Sequence, residues 1–409
     1  MKKVLLIFLV LGFVSCKENK TEESTQLEVA KENKQLEFKV LDSKYINLTE
    51  LWKPFEDDLK TFTEEEYNRL KTIILDQDIP TLQKQIVSGV FSYEELTKFY
   101  LYRIRKFDRS NELSLNSVIS LNPNVITEAK AKDENLKSQT STTDLRLSLF
   151  GMPILLKDNV NTEVMSTTAG AVALMNNNVD DAFVTKQLKQ AGALILGKAN
   201  LSEWAYFFCG DCPSGYSAVG GQTLNPYGRK TFGTGGSSSG SGVAVAANFC
   251  VAAVGSETSG SILSPSSQNS VVGLKPTIGL ISRSGIVPIS STLDTSGPMT
   301  KNVIDNAILL QAMIGFDEND AASYADKKNY VNDLSLDISG KRFGAFKKFL
   351  DDSLYVSAIN VLKEQGAEII EIDEVKAPLQ DFIRLLNLDM KKDLVSYFKY
   401  YGGKEIEVA

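Results

Sequence analysis

Residues 233–267 read GTGGSSSGSGVAVAANFCVAAVGSETSGSILSPSS. Two clusters of glycine and serine flank a short apolar segment. Glycine adopts backbone conformations that a Cβ forbids and brings N–H groups close to a ligand. Serine adds hydroxyls that donate, accept or attack. The strong apolar patterning directly after the first cluster argues against a flexible linker, so the composition points to backbone packed around a reaction centre. The chain contains no histidine. A Ser-His-Asp triad is therefore excluded, and any serine nucleophile needs another base. Residues 236–240 formally fit G-x-S-x-G around Ser238, but that nucleophile elbow needs a downstream histidine. No lysine follows the glycines as a P-loop requires, and Ser238 stands where a dinucleotide fingerprint needs its third glycine.

Outward from this stretch, strands and helices alternate. Residues 80–107 predict two helices broken at Ser88-Gly89, the second opened by a capping box of Ser92 and Glu95. A strand is expected over 117–121 and a helix over 124–136. The segment 149–159 is a buried-type strand whose apolar run ends abruptly in Lys157-Asp158. Charges at such a strand end are where α/β proteins place catalytic groups. A helix over 180–191 and a strand over 193–196 follow, then a loop leading into a further helix near 204. Beyond them we expect a small-residue helix over 243–247 and strands over 249–254 and 271–274. Next come a loop through Asp294-Thr295, a helix over 303–314, a β-α-β set within 343–372 and a helix over 379–401.

This alternation predicts a single large α/β domain, with a mixed, largely parallel twisted sheet covered by helices on both faces. We assign residues 80–409 to that domain. Residues 51–79 form a helical arm, with Trp52, Phe55, Leu59, Phe62, Tyr67 and Leu70 at broadly helical spacing. Residues 16–50 are polar and lack periodicity, as a tether would.

The chain has 409 residues, 43% hydrophobic and 23% charged, enough for a large core. Its net charge of −7, without a long basic block, excludes nucleic acid as the main partner. Lys2 and Lys3 precede the apolar run VLLIFLVLGFV, which is too short to span a bilayer and reads as a signal peptide over residues 1–15. The run ends in Phe13-Val14-Ser15-Cys16, which looks like the lipobox of bacterial lipoproteins. Cys16 is then the lipidation site, and the protein is expected to be exported and held at a cell-envelope membrane. Cys209 and Cys212 form an isolated C-x-x-C, a weak zinc signal. Two unconnected thiols is the preferred reading over a local disulfide.

The motifs together resemble one family, the amidase signature hydrolases. GMPILLKDN (151–159), GGSSSGSG (235–242), GSETSGSI (255–262), GLKPTIGLISRSGIVP (273–288) and DTSGPMT (294–300) stand in family order at fitting separations. NLSEW with SGYSAVGGQTLNP is similar to the peptide amidase branch. The resemblance implies Ser261 as acyl-ester nucleophile, Ser237 as bridging serine after a cis peptide bond, and Lys157 as base. It implies an oxyanion hole of the N–H groups of Thr258, Ser259, Gly260 and Ser261. It implies no metal and no cofactor, and a small-molecule or peptide amide as substrate. Lysine is a base only when neutral, and burial at the end of an apolar strand lowers its pKa in the required direction. Ser238 and Ser239 are expected to hold the loop by side-chain-to-backbone bonds, and Lys198, Glu203 and Asp294 to be structural charges.

Departures from the pattern fall at Ser259, Leu263 and Ser264. Family members usually continue past the position of Ala409, so a truncated form with a marginal fold or reduced activity is also expected. The alternatives are an impaired binding lipoprotein on the same fold and a glutamine amidohydrolase subunit of a transamidase.

Overall fold

The computed structural model describes residues 41–138, 145–209, 211–335, 337–374 and 379–404. Cys16 and the apolar run before it lie outside the described residues. The elements in chain order are α1 Leu48–Trp52, α2 Glu56–Lys60, α3 Glu64–Ile74, α4 Ile79–Val87, α5 Tyr93–Phe107, β1 Val118–Leu121, α6 Val125–Ser138, β2 Pro153–Lys157, α7 Phe183–Gln190 and β3 Leu194–Ala199. They continue as β4 Tyr216–Ser217, β5 Gly221–Gln222, α8 Ser239–Ala246, β6 Ala252–Glu257, α9 Leu263–Gln268, β7 Val272–Gly273, β8 Thr295–Thr300, α10 Val303–Met313, β9 Arg342–Phe346, α11 Ser353–Glu364, β10 Glu368–Ile372 and α12 Phe382–Tyr400.

A six-stranded mixed sheet, ordered β1-β3-β2-β6-β8-β7, organises the chain. Its centre, β3-β2-β6, is parallel. β1 runs antiparallel to β3, and β8 runs antiparallel to both β6 and β7. β2, β3, β6 and β8 are buried along their whole length. Strands covered on both faces need apolar or small side chains throughout, which is why β2 reads as an unbroken run. Helices α6, α8 and α10 pack against the sheet.

Helix α5 begins with the capping box, Ser92 and Glu95 satisfying each other's N–H groups. Its Leu96, Tyr100 and Ile104 are buried. The N-terminal helices join the same core. Trp52, Phe55, Leu59, Phe62, Tyr67 and Leu70 belong to one cluster with the central strands. The Tyr67 ring stacks on Phe99, centroids 5.3 Å apart. Ahead of α1, the Leu41 carbonyl accepts the Gln222 N–H at 2.9 Å, so the chain lies along the β4–β5 hairpin there.

Three local expectations are corrected. β8 begins at Thr295, within the loop expected through Asp294-Thr295. The helix expected near 204 is one 3-10 turn, Glu203–Tyr206, with Trp204 and Ala205 at positive φ. The β-α-β set expected within 343–372 is present, its two parallel strands forming a separate sheet, β10-β9, outside the main one. Cys209 and Cys212 are disulfide-bonded, because their turn brings the Cα atoms to 5.4 Å, within bridging range.

Candidate active site

Three of the sheet's connections meet at the ends of β2 and β6. β2 ends in Lys157 and β6 ends in Glu257, which leads into the turn carrying Ser261. Between them runs the first serine cluster, entering α8. Close approach of this loop depends on glycine. A Cβ on Gly240 would lie 2.4 Å from the backbone N and O of Asn200. One on Gly235, at φ +62°, would lie 2.7 Å from the backbone of Pro265 and Ser264.

Lys157 is fully buried. Its Nζ lies 2.7 Å from Ser237 Oγ, 3.0 Å from Ser256 Oγ and 3.1 Å from Ser256 O. The Gly236–Ser237 peptide bond is cis. Burial drives the Lys157 ammonium down to about 7, against the pull of the Asp294 and Glu257 carboxylates, which favour the charged form. At neutral pH a large fraction of this lysine is therefore the free amine.

Ser261 is 8% exposed and Ser237 1%. The two serine loops are laced together by the Ser238 N–H, which donates to Ser261 O at 3.1 Å. Ser238 Oγ donates to Ser256 O at 3.0 Å, as expected of a loop-holding hydroxyl. Ser239 does not share that role: its buried hydroxyl has no partner among the described residues. Ser241 does, donating to Val254 O at 3.0 Å. The structure thus brings Lys157 onto Ser237 directly and sets Ser261 in the adjoining turn. Among the described residues the Ser237 and Ser261 hydroxyls are not hydrogen-bonded to each other.

The expected oxyanion donors divide. Among the described residues, the N–H groups of Thr258, Ser259 and Ser261 meet no protein acceptor. The Gly260 N–H instead donates to Glu257 Oε1 at 2.7 Å. The other oxygen of Glu257 accepts from Ile262 (2.7 Å) and Leu263 (3.0 Å). One carboxylate therefore grips the amides on both sides of the nucleophile candidate. Lys275 steadies it from 3.7 Å and also donates to Thr258 O at 2.7 Å.

Sequence reasoning passed over Glu257 and Ser256. Both sit inside the quoted motif, but only three-dimensional placement reveals their bonds. Ser256 Oγ also accepts from Asn159 Nδ2 at 2.9 Å, fixing the surroundings of the Lys157 amine. The charges read as structural are partnered. Lys198 and Asp158 form a buried ion pair at 3.1 Å directly after Lys157, and Glu203 accepts the Ala218 N–H at 2.7 Å. Asp294 binds the Thr258 hydroxyl and the N–H groups of Ile289 and Ser290. It also lines the cleft, which sequence alone did not suggest.

That cleft, of about 370 Å³, opens beside Ser256 and Thr258. Ile286, Val287 and Ile289 give it apolar lining, and Tyr397 of α12 lines it as well.

Comparisons with known proteins agree with this fold. The amidase family model matches residues 95–402. A probable amidase of Arabidopsis thaliana is 42% identical over 68% of this chain and 54% of its own length. The chain spans about half the length of the curated relatives it matches. Among solved structures, an amidase family protein from Bacillus anthracis superposes with a TM-score of 0.81, at 39% identity, over 89% of this chain and 73% of that one. The peptide amidase of Stenotrophomonas maltophilia superposes with a TM-score of 0.73, at 41% identity, over 80% and 68%. From its motifs, sheet and site, the chain belongs to the amidase family.

Proposed function

We propose that this protein is a serine amidohydrolase that cleaves carboxamides, including C-terminal amides of peptides, through a Ser-Ser-Lys relay. The contact between buried Lys157 and Ser237 carries the reading. A lysine with three close oxygen neighbours and no carboxylate in direct contact is set up as a proton acceptor rather than as half of an ion pair. Its two N–H bonds donate to Ser256 Oγ and O, which leaves the lone pair aimed at Ser237.

In the first step Lys157 takes the Ser237 proton while Ser237 takes that of Ser261, whose hydroxyl turns toward it as substrate binds. Ser261 Oγ attacks the amide carbon. The carbonyl oxygen becomes an oxyanion facing the N–H groups of Thr258, Ser259 and Ser261, where one such donor is worth about 3 kcal/mol in the transition state. The proton returns through Ser237 to the leaving nitrogen, and ammonia or an amine departs. Water, deprotonated by the same relay, then attacks the acyl-enzyme and releases the acid and Ser261.

An alkyl fluorophosphonate followed by peptide mapping tests this. A covalent adduct on Ser261 that disappears in Ser261→Ala, with turnover of amidated peptides lost in parallel, is the expected result. Absence of an adduct on folded wild-type protein would refute it and leave a binding protein on this fold.

We propose further that Cys16 is lipidated and holds the protein on the exported side of a bacterial envelope membrane. The basic and apolar run before Cys16 supports this, as does the Cys209–Cys212 disulfide, a bond that persists in oxidising compartments. Detergent-phase partitioning of the full chain, lost in Cys16→Ala, is the expected outcome. Partitioning that Cys16→Ala leaves unchanged would sink the proposal.

A further inference from the structure

The acyl-transfer chemistry uses nothing on α12, yet α12 forms one wall of the cleft. Two carboxylates one turn apart on this helix grip a surface turn. Ser290 donates its hydroxyl to Asp389 Oδ2 at 2.5 Å, and Ser291 donates its N–H to Asp393 Oδ2 at 2.6 Å. Asp393 is only 8% exposed. Asp389 loses solvent, but bonds from Ser290 and Thr292 outweigh that loss and hold its carboxyl below the usual range.

From the opposite side Asp294 Oδ2 accepts the N–H groups of Ile289 at 2.8 Å and Ser290 at 2.9 Å. Its other oxygen accepts the Thr258 hydroxyl at 2.5 Å. The turn 289–292 is thus suspended between the helix and the nucleophile turn by three carboxylates. Ile289, Ser291, Asp294 and Asp393 all face the cleft. A turn exposed at Ser291 and Thr292 would not hold one position by burial alone.

We infer, building on the amide-hydrolysis reading above, that Asp389 and Asp393 are positioning residues that set the wall of the acyl seat. They fix turn 289–292 so that the apolar side formed by Ile286, Val287 and Ile289 meets the acyl part of the substrate. The seat then selects carboxamides with a bulky apolar acyl group over short aliphatic amides. Neither carboxylate touches the reacting atoms.

The test compares propionamide with a C-terminally amidated dipeptide of leucine and phenylalanine, using the full chain. Wild type, the double variant Asp389→Ala/Asp393→Ala and the single Asp393→Asn are measured. The double variant should raise KM for the dipeptide amide about tenfold more than KM for propionamide. Asp393→Asn should stay close to wild type, because its Oδ1 still accepts the Ser291 N–H. Thermal midpoints are recorded in parallel. An equal loss on both amides, tracking a lower midpoint, would mean that the clamp only stabilises the fold, and overturns the inference. An unchanged KM ratio in a folded double variant overturns it too. If wild-type protein neither cleaves any amide nor labels at Ser261, the hydrolase reading fails and this inference falls with it.

Discussion

Replacing Lys157 with methionine should abolish turnover and also change how stability depends on pH. The native amine titrates at about 7, against an ordinary value of 10.5, because burial penalises the ammonium. Between those two values the unfolded chain binds a proton that the folded chain does not. Folding stability from this group therefore rises with pH across the window, by about 1.4 kcal/mol per unit. Below about pH 7 the full penalty, roughly 5 kcal/mol, weighs on the wild type and is absent from the methionine variant.

Set against that, methionine takes the Lys157 donor from Ser256 O and Ser256 Oγ and the lone-pair acceptor from the Ser237 hydroxyl, which costs about 1–3 kcal/mol for each buried group left unpaired. This second cost does not vary with pH. The decisive quantity is thus the change in the wild-type-minus-variant difference, not its absolute size. From about pH 7.5 to about pH 9.5 that difference should move in favour of the wild type by 2–3 kcal/mol. Urea unfolding of both proteins at each pH, followed by far-ultraviolet circular dichroism, measures it. Parallel stability curves would show that Lys157 is charged in the native state at neutral pH, and the proposed relay would lose its base.

The same titration predicts that kcat/KM for any amide substrate rises with pH through about 7 to a plateau, with one proton lost on the acid limb; a flat profile from pH 5 to 9 would contradict it. Glu257→Gln puts an amide NH₂ against one of the three N–H groups that the carboxylate holds, so kcat should fall about 10- to 100-fold while the fold survives. Removing that charge should also move the acid limb of the pH–rate profile to lower pH, because the carboxylate favours the Lys157 ammonium. Lys198→Met strands the buried Asp158 carboxylate and should cost about 3–5 kcal/mol in urea unfolding, part of it recovered in the double variant with Asp158→Asn.

Much of the site was legible along the chain because its parts are local. The buried run of β2 ending in Lys157, the glycines that let the serine loops close and the capping box of α5 each depend on neighbours within a few residues. The missing histidine narrowed the chemistry before any fold was known. Other features had no local signature. β8 contains Gly297 and Pro298 and looks like a loop, yet all six of its residues are buried because β6 and β7 pair with it on either side.

By itself, then, the sequence determined the order of the motifs and the α/β class, and through the family resemblance it pointed to Lys157, Ser237 and Ser261 as the candidates for the proposed relay. Tertiary structure alone decided that Gly260 gives its N–H to Glu257 and that Ser256 supports the Lys157 amine. It also decided that Cys209 meets Cys212 and that α12 reaches back over the cleft. Periodicity and turn chemistry act over one or two helical turns. A carboxylate's choice of donors and a lysine's loss of water depend on groups brought together from distant parts of the chain, and only packing fixes them.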